Sequence, residues 1–204
     1  MLKIEKYRLY TSNKIVLAID DLTFEQGTFS YIQGHNSSGK SLFLKSLTGQ
    51  YKNFKGEISF RNQRISNHQN HILLINNELP VIKNLDFVEN IQLSIGKLGS
   101  TQKNRLIDMA TTLGIMDSLT NKMEFISRSE KMFMYLIRAA LLSPSILLID
   151  DIDDFFDFDN FVKVYNVFSS CMKSGILIIS TGKSQVENTP SYVIKTGNMT
   201  KNVV

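Results

Sequence analysis

The sequence predicts an α/β core with a β-rich N-terminal piece and a helical insertion. Continuous apolar runs at 71–75 (HILLI), 145–150 (SILLID) and 175–180 (GILIIS) are the mark of strands buried on both faces of a mostly parallel sheet. A strand pattern at 28–33 leads through GHNSSGKS directly into helical periodicity at 40–49. Residues from about 78 to 130 carry mainly helical signals, after which strands and helices alternate again.

The elements follow in order. Residues 3–10 and KIVLAI at 14–19 read as the first strands, then TFSYIQ at 28–33, EISF at 57–60, the three apolar runs, and SYVIKT at 191–196. Helices are expected at 40–49, 87–96, 101–114, 129–142 and 159–172. In the fourth of these, Met132, Tyr135, Leu136, Ala139 and Ala140 fall at i, i+3, i+4, i+7 and i+8 and form one apolar stripe. There is no internal repeat or low-complexity segment, and three prolines mark no linker. A chain of 204 residues with 43% apolar side chains can fill the core of one domain carrying an inserted lobe.

Composition narrows the function classes. The net charge of +4 comes from Lys and Arg that are scattered rather than clustered, so no nucleic-acid partner is expected. Cys171 is the single cysteine and sits in an apolar helical pattern, which points to a reducing cytosol and a plain core thiol rather than a disulfide or zinc site. Charges interleave from Lys3 onward, unlike a secretory leader, and no run approaches the ~20 apolar residues of a membrane span. The expectation is a soluble protein able to dock on a membrane protein.

Gly34 to Ser41 satisfies G-x-x-x-x-G-K-[ST], with a strand before it and a helix after it, the context this motif requires. Glycine lets backbone N–H groups converge on phosphate oxygens, and the helix N-terminus adds positive potential. Lys40 can reach β- and γ-phosphates and Ser41 can ligate Mg²⁺. The candidate nucleotide-binding residues are therefore Gly34, His35, Asn36, Ser37, Ser38, Gly39, Lys40 and Ser41, with Leu42 next in the helix.

The block ISRSEKMFMYLIRAALLSPSILLIDD, 126–151, resembles the ATP-binding cassette (ABC) ATPases, whose L-S-G-G-Q signature opens a helix containing R-A-L, followed by a Pro-containing turn, a buried strand and a D-E pair. Ile126 to Glu130 fall on the signature and Asp150 on the Walker B aspartate. Weaker matches keep the family order: Tyr10 where an aromatic stacks on adenine, Asn77 where a glutamine usually sits, LDFVENI at the start of the helical lobe, and Asp157 in the loop after Walker B. The resemblance covers essentially the whole chain. It implies the P-loop NTPase fold of ABC type in a single domain, 1–204, with a mostly parallel core sheet, an N-terminal antiparallel β-subdomain and a helical subdomain inserted at about 78–135.

The same resemblance implies ATP and Mg²⁺ as cofactors, the metal being held by Ser41, Asn77 and Asp150. Ser127, Arg128 and Ser129 would face the ATP of a partner subunit, in a homodimer or a heterodimer with another ABC ATPase subunit. With no membrane span of its own, the chain would sit on the cytoplasmic face through a separate transmembrane subunit. Asp153, Asp154 and Asp159 read as solvated loop charges, and Asp157 as a dimer contact or a surface charge. His68 and His71, near a turn and a strand start, do not read as metal ligands.

Departures from the family pattern cluster where hydrolysis is performed. Ser37 replaces a phosphate-loop glycine, Leu42 a hydroxyl residue, and Arg128 and Ser129 the signature glycines. Asp151 stands for the catalytic glutamate and is shorter by one methylene, roughly 1.5 Å, against the contact of about 2.6–3.2 Å that a general base needs. Thr181 stands at the switch-histidine position and carries no charge near neutral pH. The expected function is an ATP-binding subunit of an ABC transporter or related membrane complex with weak or no hydrolysis; the alternative is a slow ATPase with Asp151 as base.

Overall fold

The first strand shows how local conformation shapes the sheet. In β1 (Leu2–Thr11) the buried positions run Leu2, Ile4, Tyr7, Leu9, so the alternation skips one residue. The skip lies at Lys6, whose φ is +49°, facing Gly56 at φ +109° in β4 (Phe54–Phe60), where a Cβ would stand 2.5 Å from the Lys6 carbonyl oxygen. Only glycine fits opposite this bulge, and the bulge returns the apolar side chains to the core face. β2 (Lys14–Phe24) pairs antiparallel with β1 and buries Leu17, Ile19, Leu22 and Phe24.

The computed structural model describes residues 1–76, 80–154, 158–183, 191–195 and 197–201. Two compact units divide them: Met1–Asn76 with Ser145–Asp154 and Met172–Val204, and Asn77–Pro144 with Phe155–Cys171. The expected positions Asn77, Asp157 and Thr196 lie outside the described residues, as do the side chains of Asp154 and Asp159.

In the first unit, ten strands among the described residues form one sheet, which is α/β in class. Its order is β5 (Gln63–Arg64), β4, β1, β2, β10 (Asn198–Lys201), β9 (Ser191–Lys195), β3 (Phe29–Gln33), β8 (Leu177–Gly182), β7 (Ile146–Ile149), β6 (Ile72–Ile75). The stretch from β9 through β3, β8 and β7 to β6 is parallel, and β1, β2, β4 and β5 are antiparallel. Every residue of β7 and β8 is buried, as their unbroken apolar runs require. Helix α1 (Lys40–Leu47) buries Phe43, Leu44 and Leu47 in the core with β1; the Tyr7 and Phe43 rings meet edge to face at 5.7 Å, and the Tyr7 hydroxyl pairs with Ser46 Oγ at 2.8 Å.

The second unit is helical: α2 (Phe87–Ile95), α3 (Ser100–Leu113), α4 (Arg128–Leu142) and most of α5 (Phe158–Lys173). α4 packs on both α2 and α3, burying Met132, Tyr135, Leu136, Ala139 and Ala140, the stripe expected from the sequence. α2 opens with a capping box: Glu89 N–H donates to Asp86 Oδ1 at 2.7 Å and Asp86 N–H to Glu89 Oε2 at 2.9 Å. Asn90, 3% exposed, satisfies the preceding turn by donating to the carbonyls of Ile82, Leu85 and Asp86 and accepting from Ile82 N–H at 2.9 Å. Cys171 is buried, and burial pushes its thiol above the ordinary value.

Candidate functional site

β3 delivers the chain into the loop at Gly34, whose N–H donates to the Gly182 carbonyl at the end of β8 at 3.2 Å. The loop turns through two left-handed residues, Ser37 at φ +62° and Gly39 at φ +93°. Gly39 is at ease there, whereas a left-handed serine costs about 1 kcal/mol. Gly39 also packs closely: a Cβ would approach Leu9 to 3.3 Å and Leu17 to 3.5 Å.

Lys40 begins α1 and is only 5% exposed. Its ammonium folds back on the loop, donating to the carbonyls of Gly34 at 2.7 Å and His35 at 3.1 Å. Burial lowers its pKa below the ordinary value, while Asp151 and Asp150 pull it upward and Lys183 adds to the lowering. Ser38 Oγ is buried without a hydrogen-bond partner, and a Cβ at Gly34 would come within 2.7 Å of it.

These residues line a cleft of about 660 Å³ bounded by Thr11, Val16, Asn36, Ser37, Ser38, Gly39, Lys40, Ser41, Leu42, Asp151 and Lys183. The expected loop residues from Asn36 to Leu42 thus come together with Asp151. Gly34 and His35 lie at the base of the loop instead and contribute carbonyls to Lys40. Tyr10 is half-buried and is not on the cleft wall; its ring lies 5.8 Å from Lys55 Nζ and its carbonyl accepts from the Tyr51 hydroxyl and from Asn53.

Asp150 follows β7, with its N–H donating to the Ile75 carbonyl at 2.9 Å. Thr181 is fully buried in β8: its hydroxyl donates to Asp150 Oδ1 at 2.8 Å and accepts from Asp151 N–H at 2.9 Å. Thr181 therefore braces the Asp150–Asp151 pair and does not line the cleft. Asp151 has φ +48°, a left-handed conformation that Asp tolerates better than most residues.

Asp153, expected as a solvated loop charge, is not one. The Tyr31 hydroxyl donates to both its oxygens, at 2.8 and 2.9 Å, and Lys183 N–H donates to Oδ2 at 2.6 Å. Tyr31 lies 122 residues away in sequence, and no spacing rule joins the two. Lys183 on the cleft wall is a second residue absent from the expectations, although it stands two residues after Thr181.

In the helical unit Ser127 is the N-cap of α4. Its Oγ accepts from Glu130 N–H at 3.2 Å, and its own N–H donates to Glu130 Oε2 at 3.0 Å. Burial opposes the Glu130 charge, but hydrogen bonds from Ser118 and Ser127 outweigh it and hold the carboxyl below its ordinary value. Ser127 and Arg128 are exposed and Ser129 is half-exposed.

The residues present fit a polyphosphate. The cleft offers an orphaned hydroxyl at Ser38, two ammonium groups and the start of α1, and its loop is closely packed around Gly34 and Gly39. Ser41 and Asp150 supply the hard oxygen ligands that suit Mg²⁺, but among the described residues no group of three His, Cys, Asp or Glu side chains could hold a metal alone.

Fold and loop together define a phosphate-loop nucleotide-binding domain. Comparison with known proteins carries this to a family: the sequence model of the ABC transporter family matches residues 17–153, and the chain belongs to that family. It is similar to a thiamine import ATP-binding protein of Aliivibrio fischeri, 31% identical over 72% of this chain and 63% of that one. It is similar also to a tungstate uptake system ATP-binding protein of Peptoclostridium acidaminophilum, 29% identical over 67% of this chain and 64% of that one. The match therefore spans slightly less than two thirds of the length of these two relatives. Among solved structures, an ATP-binding subunit of an ABC transporter superposes with a TM-score of 0.83 at 16% identity, covering 100% of this chain and 90% of that one. The cbiO1 chain of Clostridium perfringens, part of the cbiONQ complex, gives 0.78 at 18% identity, with 98% and 86% covered. The fold is accordingly that of the ABC-type ATPases. Among the described residues no helix is long and apolar enough to cross a membrane.

Proposed function

We propose that this chain is the ATP-binding subunit of an ABC transporter or a related membrane complex, with weak or no ATP hydrolysis of its own. The observation that carries this reading is the cleft along Asn36–Leu42, which fits a polyphosphate on one side while its opposite side lacks the usual hydrolytic groups. Lys40 would hold the β- and γ-phosphates, leaving its loop carbonyls as they approach, and Ser41 and Asp150, with Asn77, would hold Mg²⁺; Tyr10, which is off the cleft wall, is left without a part in the site. Bound ATP supplies the phosphoanhydride whose cleavage or mere binding does work in such assemblies. Ser127, Arg128 and Ser129 face the nucleotide of a second ATPase subunit, identical or not. A separate transmembrane subunit holds the chain at the cytoplasmic face. Thiamine and tungstate, named for the relatives, are chemically unlike, so no cargo is carried over.

Two considerations support weak hydrolysis. The Asp151 carboxylate is about 1.5 Å short of a glutamate's reach. Its backbone cannot easily advance to compensate, because Asp151 N–H is tied to Thr181 Oγ1, itself tied to Asp150. Thr181 is thereby engaged inside the protein rather than available to a terminal phosphate. The place of Asp151 on the cleft wall favours the second reading, a slow ATPase with this residue as base.

Phosphate release from Mg-ATP, with Lys40→Ala as blank and Asp151→Glu alongside, separates them. The first reading expects ATP binding with release close to the blank, at least ~100-fold below an intact site. Release well above the blank that disappears in Asp151→Asn would establish the second.

A further inference from the structure

We infer that Lys183 is a second cationic ligand for the terminal phosphates of the nucleotide, presented to the cleft from the end of β8 by a clamp made of Tyr31 and Asp153. The inference rests on the reading of the cleft as an ATP site and adds to it a residue that neither the loop motif nor the family resemblance assigns.

Three observations converge. Lys183 lines the same cleft as Lys40, and the charged side chains of that wall are two lysines against the single carboxylate of Asp151, a balance that favours a polyanion. The two ammonium groups sense one another, since Lys183 contributes to the lowering of the Lys40 pKa. The backbone under Lys183 is also unusually well fixed for a segment that has just left a strand. Lys183 N–H donates to Asp153 Oδ2 at 2.6 Å, its carbonyl accepts from Gln33 Nε2 at 3.3 Å, and Gly34 N–H donates to the Gly182 carbonyl at 3.2 Å.

The clamp explains the glycine before it. A Cβ at 182 would stand 1.9 Å from the Tyr31 hydroxyl and 2.5 Å from each Asp153 oxygen, so any side chain there would displace the pair. The room that a side chain at 182 would fill is occupied by the Tyr31–Asp153 hydrogen bonds, and the next residue brings the positive charge. Asp153 is thus a positioning residue, and so is Tyr31, whose fully buried ring fixes where its hydroxyl meets the carboxylate. Lysine suits this place because its stem is long and its charge compact, able to follow a terminal phosphate without a fixed planar geometry.

The test is calorimetric titration of the purified full chain with ATP, ADP and AMP, for wild type, Lys183→Ala, Lys183→Arg, Tyr31→Phe and Lys40→Ala. Lys183→Ala is expected to weaken ATP by roughly tenfold, the order of one charge-assisted contact, and to leave AMP unchanged. Lys183→Arg should restore most of the ATP affinity. Tyr31→Phe should lower the ATP-to-AMP affinity ratio by a smaller factor while retaining the wild-type circular dichroism. Unchanged ATP affinity in Lys183→Ala, with binding still lost in Lys40→Ala, would overturn the inference and leave the ATP site standing. An equal loss for ATP and AMP would overturn it as well, because the effect would not lie at the terminal phosphates. Absence of ATP binding by the wild type would instead remove the reading on which it rests.

Discussion

The loop wall of the cleft and the wall formed by the ends of β7 and β8 are held in place in different ways. The loop carries Gly34, Gly39, Lys40 and Ser41 of its motif, and Ser37 adopts the left-handed conformation in which glycine is at ease. The facing wall is held by side chains instead: Thr181 braces the Asp150–Asp151 pair, and Tyr31 with Asp153 fills the space beside Gly182. Residues that hold a phosphate can be altered singly at modest cost, whereas residues that act on a water molecule depend on mutual placement. Once one member of such a set is gone, the others are free to acquire structural duties. The contrast is compatible with the proposed role, in which holding a nucleotide and cleaving it are separable.

The sharpest way to break this comparison is on the facing wall. Gly182→Ala drives a methyl into the Tyr31–Asp153 pair, and overpacking of this kind costs about 2 kcal/mol. Thermal unfolding should fall by about 4–8 °C for a chain of this size. Combining it with Tyr31→Phe should recover part of the loss, since the nearest clash is with the hydroxyl, and a purely additive result would refute the clamp.

A smaller effect, of opposite sign, is expected on the loop wall. Ser37→Gly removes a left-handed serine at a cost relieved of about 1 kcal/mol, part of which is returned as glycine's extra unfolded-state entropy. A net gain of roughly 0.5 kcal/mol should raise the melting temperature by about 1–2 °C. A fall would show that the serine side chain carries a stabilising contact.

The smallest effect is one of pH. Burial depresses the pKa of Lys40, with Asp151, Asp150 and Asp153 opposing and Lys183 reinforcing the shift. The buried ammonium is a cost to folding while it is charged, so stability should rise as pH climbs from the folded pKa to the ordinary lysine value, the sign opposite to that of a salt-bridged lysine. An anionic ligand favours the charged form, so ATP affinity should fall over the same interval. Calorimetry as pH is raised to the ordinary lysine value should show both trends, and Lys40→Arg, which stays protonated, should flatten them.

The sheet and its helices were legible because burial leaves periodic traces. SILLID and GILIIS form interior strands, HILLI forms the half-buried edge strand β6, and the stripe from Met132 to Ala140 packs as its spacing predicts. The second strand runs on to Phe24, five residues beyond KIVLAI, although Asp20 and Asp21, both exposed, break the apolar run and the alternation, which resumes in the opposite phase at Leu22 and Phe24. Asn198–Lys201 left no apolar trace at all; as β10 it forms an antiparallel partner to β9 and contributes one buried side chain, Met199. At the site, the loop could be read because its residues are contiguous. Asp153 could not, since its partner Tyr31 arrives through the pairing of β3 with β8, and a carboxylate in an acidic loop looks the same in sequence whether it is solvated or clamped. Thr181 was recognisable as the loss of a charge, but not as the bridge between Asp150 and Asp151.

The bond from Gly34 N–H to the Gly182 carbonyl continues the β3–β8 ladder past the last pair of the strands. It fastens the two walls of the cleft together at their root, much as a stitch beyond the end of a seam keeps the cloth from parting. Mechanically, the cleft is stiff along that edge: it cannot be widened by spreading the strands without breaking a bond of the sheet itself. Adaptation to nucleotides of different length must therefore come from the side chains above the seam, and a change in the position of one wall will be delivered to the other without delay or slack.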